Sequence, residues 1–178
     1  MWKYCKSKGL NKIHKIDDPN GYQVYLSLNT KCIPYSPIGY DARFVQIYVK
    51  DLLNTEQLKK ELLNLQTEYY KSTEISHFGL NGIYHWFDKA TRIGLINAIN
   101  IQKELGESTY RLWLDKDYID LPVDKALKLL YTLESYAIEC YNITQNHIKE
   151  INDLSTIEDC VNYDVTKDYP NILKIQIE

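Results

Sequence analysis

Glycine is scarce in this chain, with 7 among 178 residues, methionine occurs once, and 3 arginines stand against 18 lysines. There is no glycine-rich phosphate loop, no dinucleotide-binding glycine pattern, no Gly-x-Ser-x-Gly nucleophile turn and no His-Glu-x-x-His pair, which removes the sequence-level signals of the commonest nucleotide, hydrolase and metalloprotease chemistries. No run approaches the roughly 18 to 20 apolar residues that a membrane span needs, so no membrane association is expected. The first residues, Met1-Trp2-Lys3-Tyr4-Cys5-Lys6, hold no apolar core of the kind a secretory signal uses. Cys5, Cys32, Cys140 and Cys160 are scattered, form no Cys-x-x-Cys pair and cluster with none of the 4 histidines. Free thiols in a protein made in a reducing cytosol are the expectation, with no metal site and no cofactor.

What is present points to a packed protein. The apolar content is 44% and the formal net charge is -3, which excludes wholesale disorder. Tyr, Ile, Lys and Asn together fill over a third of the chain, the bias that A+T-rich coding sequence produces. Charge is uneven along the chain. Lys3, Lys6, Lys8, Lys12 and Lys15 make a basic arm without an acid in the first 15 residues, whereas Glu150 to Glu178 holds seven acids against Lys167 and Lys174. Spaced lysines without arginine make a weak nucleic-acid patch, so the arm is expected to be solvated and nucleic acid is not an expected partner.

Local patterns give an α+β protein. Asp17-Asp18-Pro19-Asn20-Gly21 is a turn signal, followed by strand-like Tyr22–Leu28. Pro34 and Pro37 restrict Cys32–Tyr35 to an edge strand or connection, and Phe44–Val49 is the next strand. A helix opens at Thr55, with Leu58, Leu62, Leu65 and Tyr69 on one stripe. Thr73–Phe78 and Ile83–Phe87 flank Asn81-Gly82, the strongest short hairpin signal, which would set Phe78 opposite His85. Asp88 reads as the N-cap of a helix over 89–104 burying Ile93, Ile96 and Ile99 or Asn100, with Gly106 as its stop. Tyr110–Leu114 and Tyr118–Leu121 form a second hairpin around Asp115-Lys116-Asp117. A long helix of about 30 residues follows, its stripe running Ala126, Leu130, Leu133, Ala137, Cys140, Thr144, His147, Ile151 like a coiled-coil seam. Ser155-Thr156-Ile157-Glu158 reads as a capping box for a short helix, and Ile172–Ile177 as a strand-like tail. The expected division is a small N-terminal β unit with its basic arm at 1–54, for docking, and an α+β domain at 55–178.

No residue stands out as catalytic. Asp115-x-Asp117 lacks the oxygen ligand and glycine that a calcium loop needs at Ile119 and Asp120, so it reads as a turn. His77 and His85 fall on opposite faces of the predicted hairpin, against a shared metal. Cys140 sits in an apolar helical setting, unlike a low-pKa nucleophile. A non-enzymatic protein is the expectation.

Residues 72–170 resemble an uncharacterised domain family of bacteriophage and prophage proteins encoded among tail and tail-fibre genes. The resemblance is carried by Gly82-Ile83-Tyr84-His85-Trp86-Phe87-Asp88-Lys89-Ala90-Thr91-Arg92, with Arg92 where the family has Gln. It continues through Trp113-Leu114-Asp115-Lys116-Asp117-Tyr118-Ile119-Asp120-Leu121, Tyr136-Ala137-Ile138-Glu139-Cys140-Tyr141, Ser155-Thr156-Ile157-Glu158-Asp159-Cys160 and Tyr169-Pro170. In the family pattern Trp86, Trp113, Tyr136 and Tyr141 take core positions. The resemblance implies a virion component, tail- or tail-fibre-associated, made in the host bacterial cytoplasm and binding other phage structural proteins as a homo-oligomer or as a subunit of a hetero-complex. The alternative is an intracellular phage binding protein, such as a fibre-assembly chaperone or regulator, that leaves the mature particle. Candidate interface residues are Tyr22, Tyr25, Tyr35, Tyr40 and Tyr48 in the β unit, and Thr144 and His147 on the long helix.

Overall fold

The computed structural model describes residues 3–6, 8, 10–17, 20–29, 40–50 and 55–177; Tyr35 and the Cys32–Tyr35 segment lie outside them. The protein is α+β. Among the described residues the chain runs β1 (Lys3–Cys5), β2 (Ile13–Asp17), β3 (Asn20–Asn29), β4 (Ala42–Val49), α1 (Thr55–Lys71), β5 (Phe78–Leu80), β6 (Ile83–His85), α2 (Lys89–Glu104), β7 (Thr109–Leu114), β8 (Asp117–Pro122), α3 (Val123–Asp153), α4 (Ile157–Asn162) and β9 (Leu173–Ile175). The expected division at 54/55 is not the one the fold adopts. One compact unit takes 1–69 with 143–168, and the other takes 70–142 with 169–178. The N-terminal sheet shares its unit with the apolar stripe of α1 and the end of α3, so a cut at residue 54 would strip that unit of its helices.

In the first unit β1, β4, β3 and β2 form, in that order, an antiparallel sheet. Alternation fixes its faces: Val24 and Leu26, with Val49, are buried on one side. Leu58, Leu62, Leu65 and Tyr69 of α1 are buried as their stripe predicts. The opposite sheet face carries a ring row in which His14 stands 5.1 Å from Tyr25, and Tyr25 stands 4.3 Å from Phe44. The basic arm is a correction: Lys3 lies in β1 and Lys15 in β2, the two outer strands of the sheet. Lysines there suit edge strands, because a charged edge discourages pairing with another chain. Lys3 Nζ donates to Gln46 Oε1 at 2.6 Å and Lys12 Nζ to Asn162 Oδ1 at 2.7 Å, while Lys6 and Lys8 are exposed.

The second unit holds a three-stranded sheet in the order β6-β5-β9, the β7-β8 hairpin, α2 and α3 up to Asn142. Phe78 pairs with His85 around the Asn81-Gly82 turn as expected, but residues 72–76 turn instead of extending α1 into a strand. The tail pairs parallel to β5, with Leu173, Lys174 and Ile175 opposite Phe78, Gly79 and Leu80. Asn81 and Gly82 sit at φ 48° and 87°, the left-handed pair a two-residue hairpin turn requires. A side chain at Gly82 meets no neighbour, so Gly82→Ala isolates the backbone term. The expected loss is about 1–2 kcal/mol, read as a lowered midpoint in chemical denaturation with unchanged slope.

Asp88 caps α2 by accepting from Thr91 N at 2.7 Å, and that bond holds its carboxyl below the ordinary aspartate range. The inward face of α2 is Arg92 and Ile99, with Ile96 half-buried; Ile93, expected inside, is exposed. The α4 cap also shifts by one residue: Thr156, not Ser155, accepts from Asp159 N and donates to Asp159 Oδ2. α3 spans 31 residues, and its whole predicted stripe is buried, so the seam serves this chain's own interior. Thr144 and His147 are 5% and 2% exposed, which corrects their reading as interface residues. Trp113 and Tyr141 reverse the other way: expected in the core, they are 58% and 52% exposed, whereas Tyr136 is buried with its hydroxyl donating to Ile75 O at 2.9 Å.

Candidate interaction surface

Of the β-unit tyrosines, Tyr25 and Tyr48 share the sheet face that bears Lys3. Tyr48 is 39% exposed and its ring covers Gly21, where a Cβ would come within 2.5 Å of the hydroxyl. Tyr22 lies half-buried on the other face, and Tyr40 is exposed ahead of β4.

Among the described residues, an exposed aromatic cluster instead lies on the β7-β8 hairpin. Tyr110, Leu112 and Leu114 alternate toward the interior opposite Leu121, Ile119 and Asp117. The same period of two sends Arg111 and Trp113 outward opposite Asp120 and Tyr118. Arg111 donates twice to the Asp120 carboxylate, both bonds at 2.8 Å. Its guanidinium carbon also lies 4.0 Å from the centre of the Tyr118 ring, and Trp113 meets Tyr118 edge-on at 5.2 Å. The bonds to Arg111 hold the Asp120 carboxyl below its usual range, and the Arg111 guanidinium is raised in turn. Trp113 is 58% and Tyr118 48% exposed. The four side chains therefore form an ordered plate whose aromatic area faces solvent. Asp115, at φ 55° in the hairpin turn, lies 3.3 Å from His85 Nδ1 through Oδ2, which sets the hairpin tip beside β6 and its exposed Ile83 and Tyr84.

Two buried polar networks escaped the sequence reading. In the second unit Arg92 bonds Glu134 Oε2 and Phe87 O, and its guanidinium lies 5.4 Å from the Trp86 ring centre. In the first unit His147 contacts Tyr163 and the Lys167 carbonyl, and Tyr163 contacts Glu150. Both are visible only once remote segments are folded together, because their partners lie 42 and 16 to 20 residues apart.

Cys140 and Cys160 are buried free thiols and Cys5 is half-buried. Burial pushes the Cys140 thiol up to about 11, so at neutral pH it is protonated and a poor nucleophile. Among the described residues no three His, Cys, Asp or Glu side chains are grouped to hold a metal ion, and no helix is long and apolar enough to cross a membrane. No family model matches the chain, and neither a curated protein nor a solved structure does so.

Proposed function

We propose that this protein is a non-enzymatic bacteriophage structural component, associated with the tail or tail fibre, that works by protein-protein contact through the outer face of the β7-β8 hairpin. The observation that carries the contact reading is the exposed plate of Arg111, Trp113, Tyr118 and Asp120, already ordered by mutual contacts. Tryptophan, tyrosine and arginine are the side chains that most often anchor protein interfaces. Holding them in place before a partner arrives reduces the ordering cost of association. The virion assignment is supported by the resemblance of residues 72–170 to the phage tail-region family.

Two measurements test the two parts. Mass spectrometry of purified particles should find the chain at a fixed ratio to other tail proteins; absence from particles would favour the intracellular chaperone or regulator instead. Trp113→Ala combined with Arg111→Ala should leave the circular dichroism of the chain unchanged. Loss of a central anchor pair costs about 2 kcal/mol or more of association, so particle incorporation should fall about thirtyfold or further. Undiminished incorporation of the folded double variant would exclude the hairpin as the contact face.

A further inference from the structure

The tail strand β9 is an outer strand: it pairs with β5 on one side, and no strand pairs with its other side among the described residues. Its backbone polarity can be read from two bonds. Asn81 N donates to Ile175 O at 3.0 Å, and Ile177 N donates to Asn81 Oδ1 at 2.9 Å. Residues 175 and 177 thus direct these groups toward β5. Because a strand's polar groups alternate sides residue by residue, the N–H and C=O of Lys174 and Gln176 point toward the open edge.

That edge runs beside a groove. Ile175, Gln176 and Ile177 line one part of it, about 370 Å³, together with Lys125, Lys128, Leu129 and Thr132 of α3. Lys128 and Thr132 also line a larger adjoining groove of about 860 Å³ that passes Leu173 and Asn171. Side chains alternate to match: a Cβ at Gly79 would lie 3.7 Å from Lys174 Cγ, so Lys174 projects on the sheet face of Gly79, and Leu173 and Ile175 project on the other. Among the described residues lining the smaller part, Lys125 and Lys128 are the only charged ones.

An outer strand with outward backbone groups, an apolar floor and a lysine rim is the arrangement by which an added strand is captured between sheet edge and helix. We propose that the groove between β9 and α3 binds an extended peptide segment of a partner protein, apolar at alternate positions and acidic between them. The segment pairs with the Lys174 and Gln176 backbone and seats its apolar side chains on Leu129 and Ile175; its alternating carboxylates face the Lys174 side of the sheet, and those at its ends reach Lys125 and Lys128 at the groove rim. This site uses none of the hairpin residues, so it stands or falls independently of the virion assignment.

The test uses the full chain and a pool of seven-residue peptides alternating Asp or Glu with Val, Ile, Thr or Tyr, followed by amide NMR and fluorescence anisotropy. The expected result is a shift of the Lys174 and Gln176 amides on addition of the pool, absent with a pool carrying Lys in place of Asp and Glu. Reversing both rim charges, Lys125→Glu with Lys128→Glu, should weaken binding about tenfold or more, through lost attraction and new repulsion. Gln176→Pro removes an outward N–H while leaving the Ile177–Asn81 bond, so it should abolish binding with the remaining amide spectrum preserved. Binding that ignores peptide charge, survives Gln176→Pro, or is missing across the whole acidic pool would overturn the proposal. So would a concentration-dependent dimer abolished by Gln176→Pro, since a second copy would then be the occupant.

Discussion

Arg92→Ala is expected to destabilise the protein by about 3–5 kcal/mol, because it removes one partner of a buried ion pair and strands the other. Arg92 is 5% exposed, and its Nε donates to Glu134 Oε2 at 2.5 Å while a terminal guanidinium nitrogen donates to Phe87 O at 2.7 Å. Truncation to alanine leaves the largely buried Glu134 carboxylate without its cation, leaves the Phe87 carbonyl short of a donor, and opens a void under Trp86. The position reads as a surface residue in the sequence, since a charged residue in the first turn of a helix is usually solvated. The wild-type advantage is not the worth of the pair itself, however. Replacing both partners with leucine removes the buried charges together and should recover most of the loss. Arg92→Lys keeps the charge without the planar fork, so it should fall between the two. Urea denaturation followed by tryptophan fluorescence reads all four proteins, with Trp86 beside the altered site. A loss below about 1 kcal/mol for Arg92→Ala would mean that the pair behaves as an exposed one.

The same residue marks where the sequence stopped being legible. Local signals carried well: the Asn81-Gly82 turn, the Asp88 cap, the Gly106 stop at φ 85° and the α3 stripe all appear as expected. Each depends on residues within a turn or two of one another. The seam of α3 was legible as an apolar stripe but not in what it faces, since a stripe that meets a partner and one that meets its own domain have the same period. Trp113 and Tyr136 show the same limit at single residues. Both are aromatic and both are expected in the core, but Trp113 takes the outward phase of a half-buried strand and Tyr136 the inward face of α3. The sequence also gave no sign that β1 and β2 flank a sheet, because short lysine-bearing edge strands resemble a solvated arm. Pairing of β9 with β5 spans nearly a hundred residues, and a three-residue strand carries no local mark of its partner.

His147→Ala should cost about 2–4 kcal/mol by combining a cavity with lost buried hydrogen bonds, and the wild-type protein should weaken on mild acidification through the same residue. His147 is 2% exposed. Its Nε2 lies 3.0 Å from Lys167 O, an acceptor only, so Nε2 carries a hydrogen. Nδ1 lies 2.6 Å from the Tyr163 hydroxyl oxygen, which is 2.8 Å from Glu150 Oε2. In the neutral imidazole, one hydroxyl hydrogen thus serves two acceptors. Protonation would supply the missing hydrogen, and the Lys167 carbonyl and the Glu150 and Asp168 charges favour it. Burial opposes it more strongly, with help from the Lys167 charge, and the His147 pKa is lowered. A lowered native pKa means that the unfolded chain binds the proton more readily. The His147 contribution is therefore complete above the unfolded value of about 6.5 and is lost as pH falls through the native value. Glu150, held down by Lys167 and then by the Tyr163 hydroxyl, acts in a lower window. Its contribution is complete above about 4.3 and drains as pH falls further. Urea midpoints at pH 8, 7, 6 and 5 should decline below pH 7 in the wild type. His147→Phe fills the space without a titrating group and should flatten that decline, leaving the acid-range loss from Glu150. A wild-type midpoint that rises on acidification would reverse the assignment, making the imidazolium, bonded through Tyr163 to the Glu150 carboxylate, the native form.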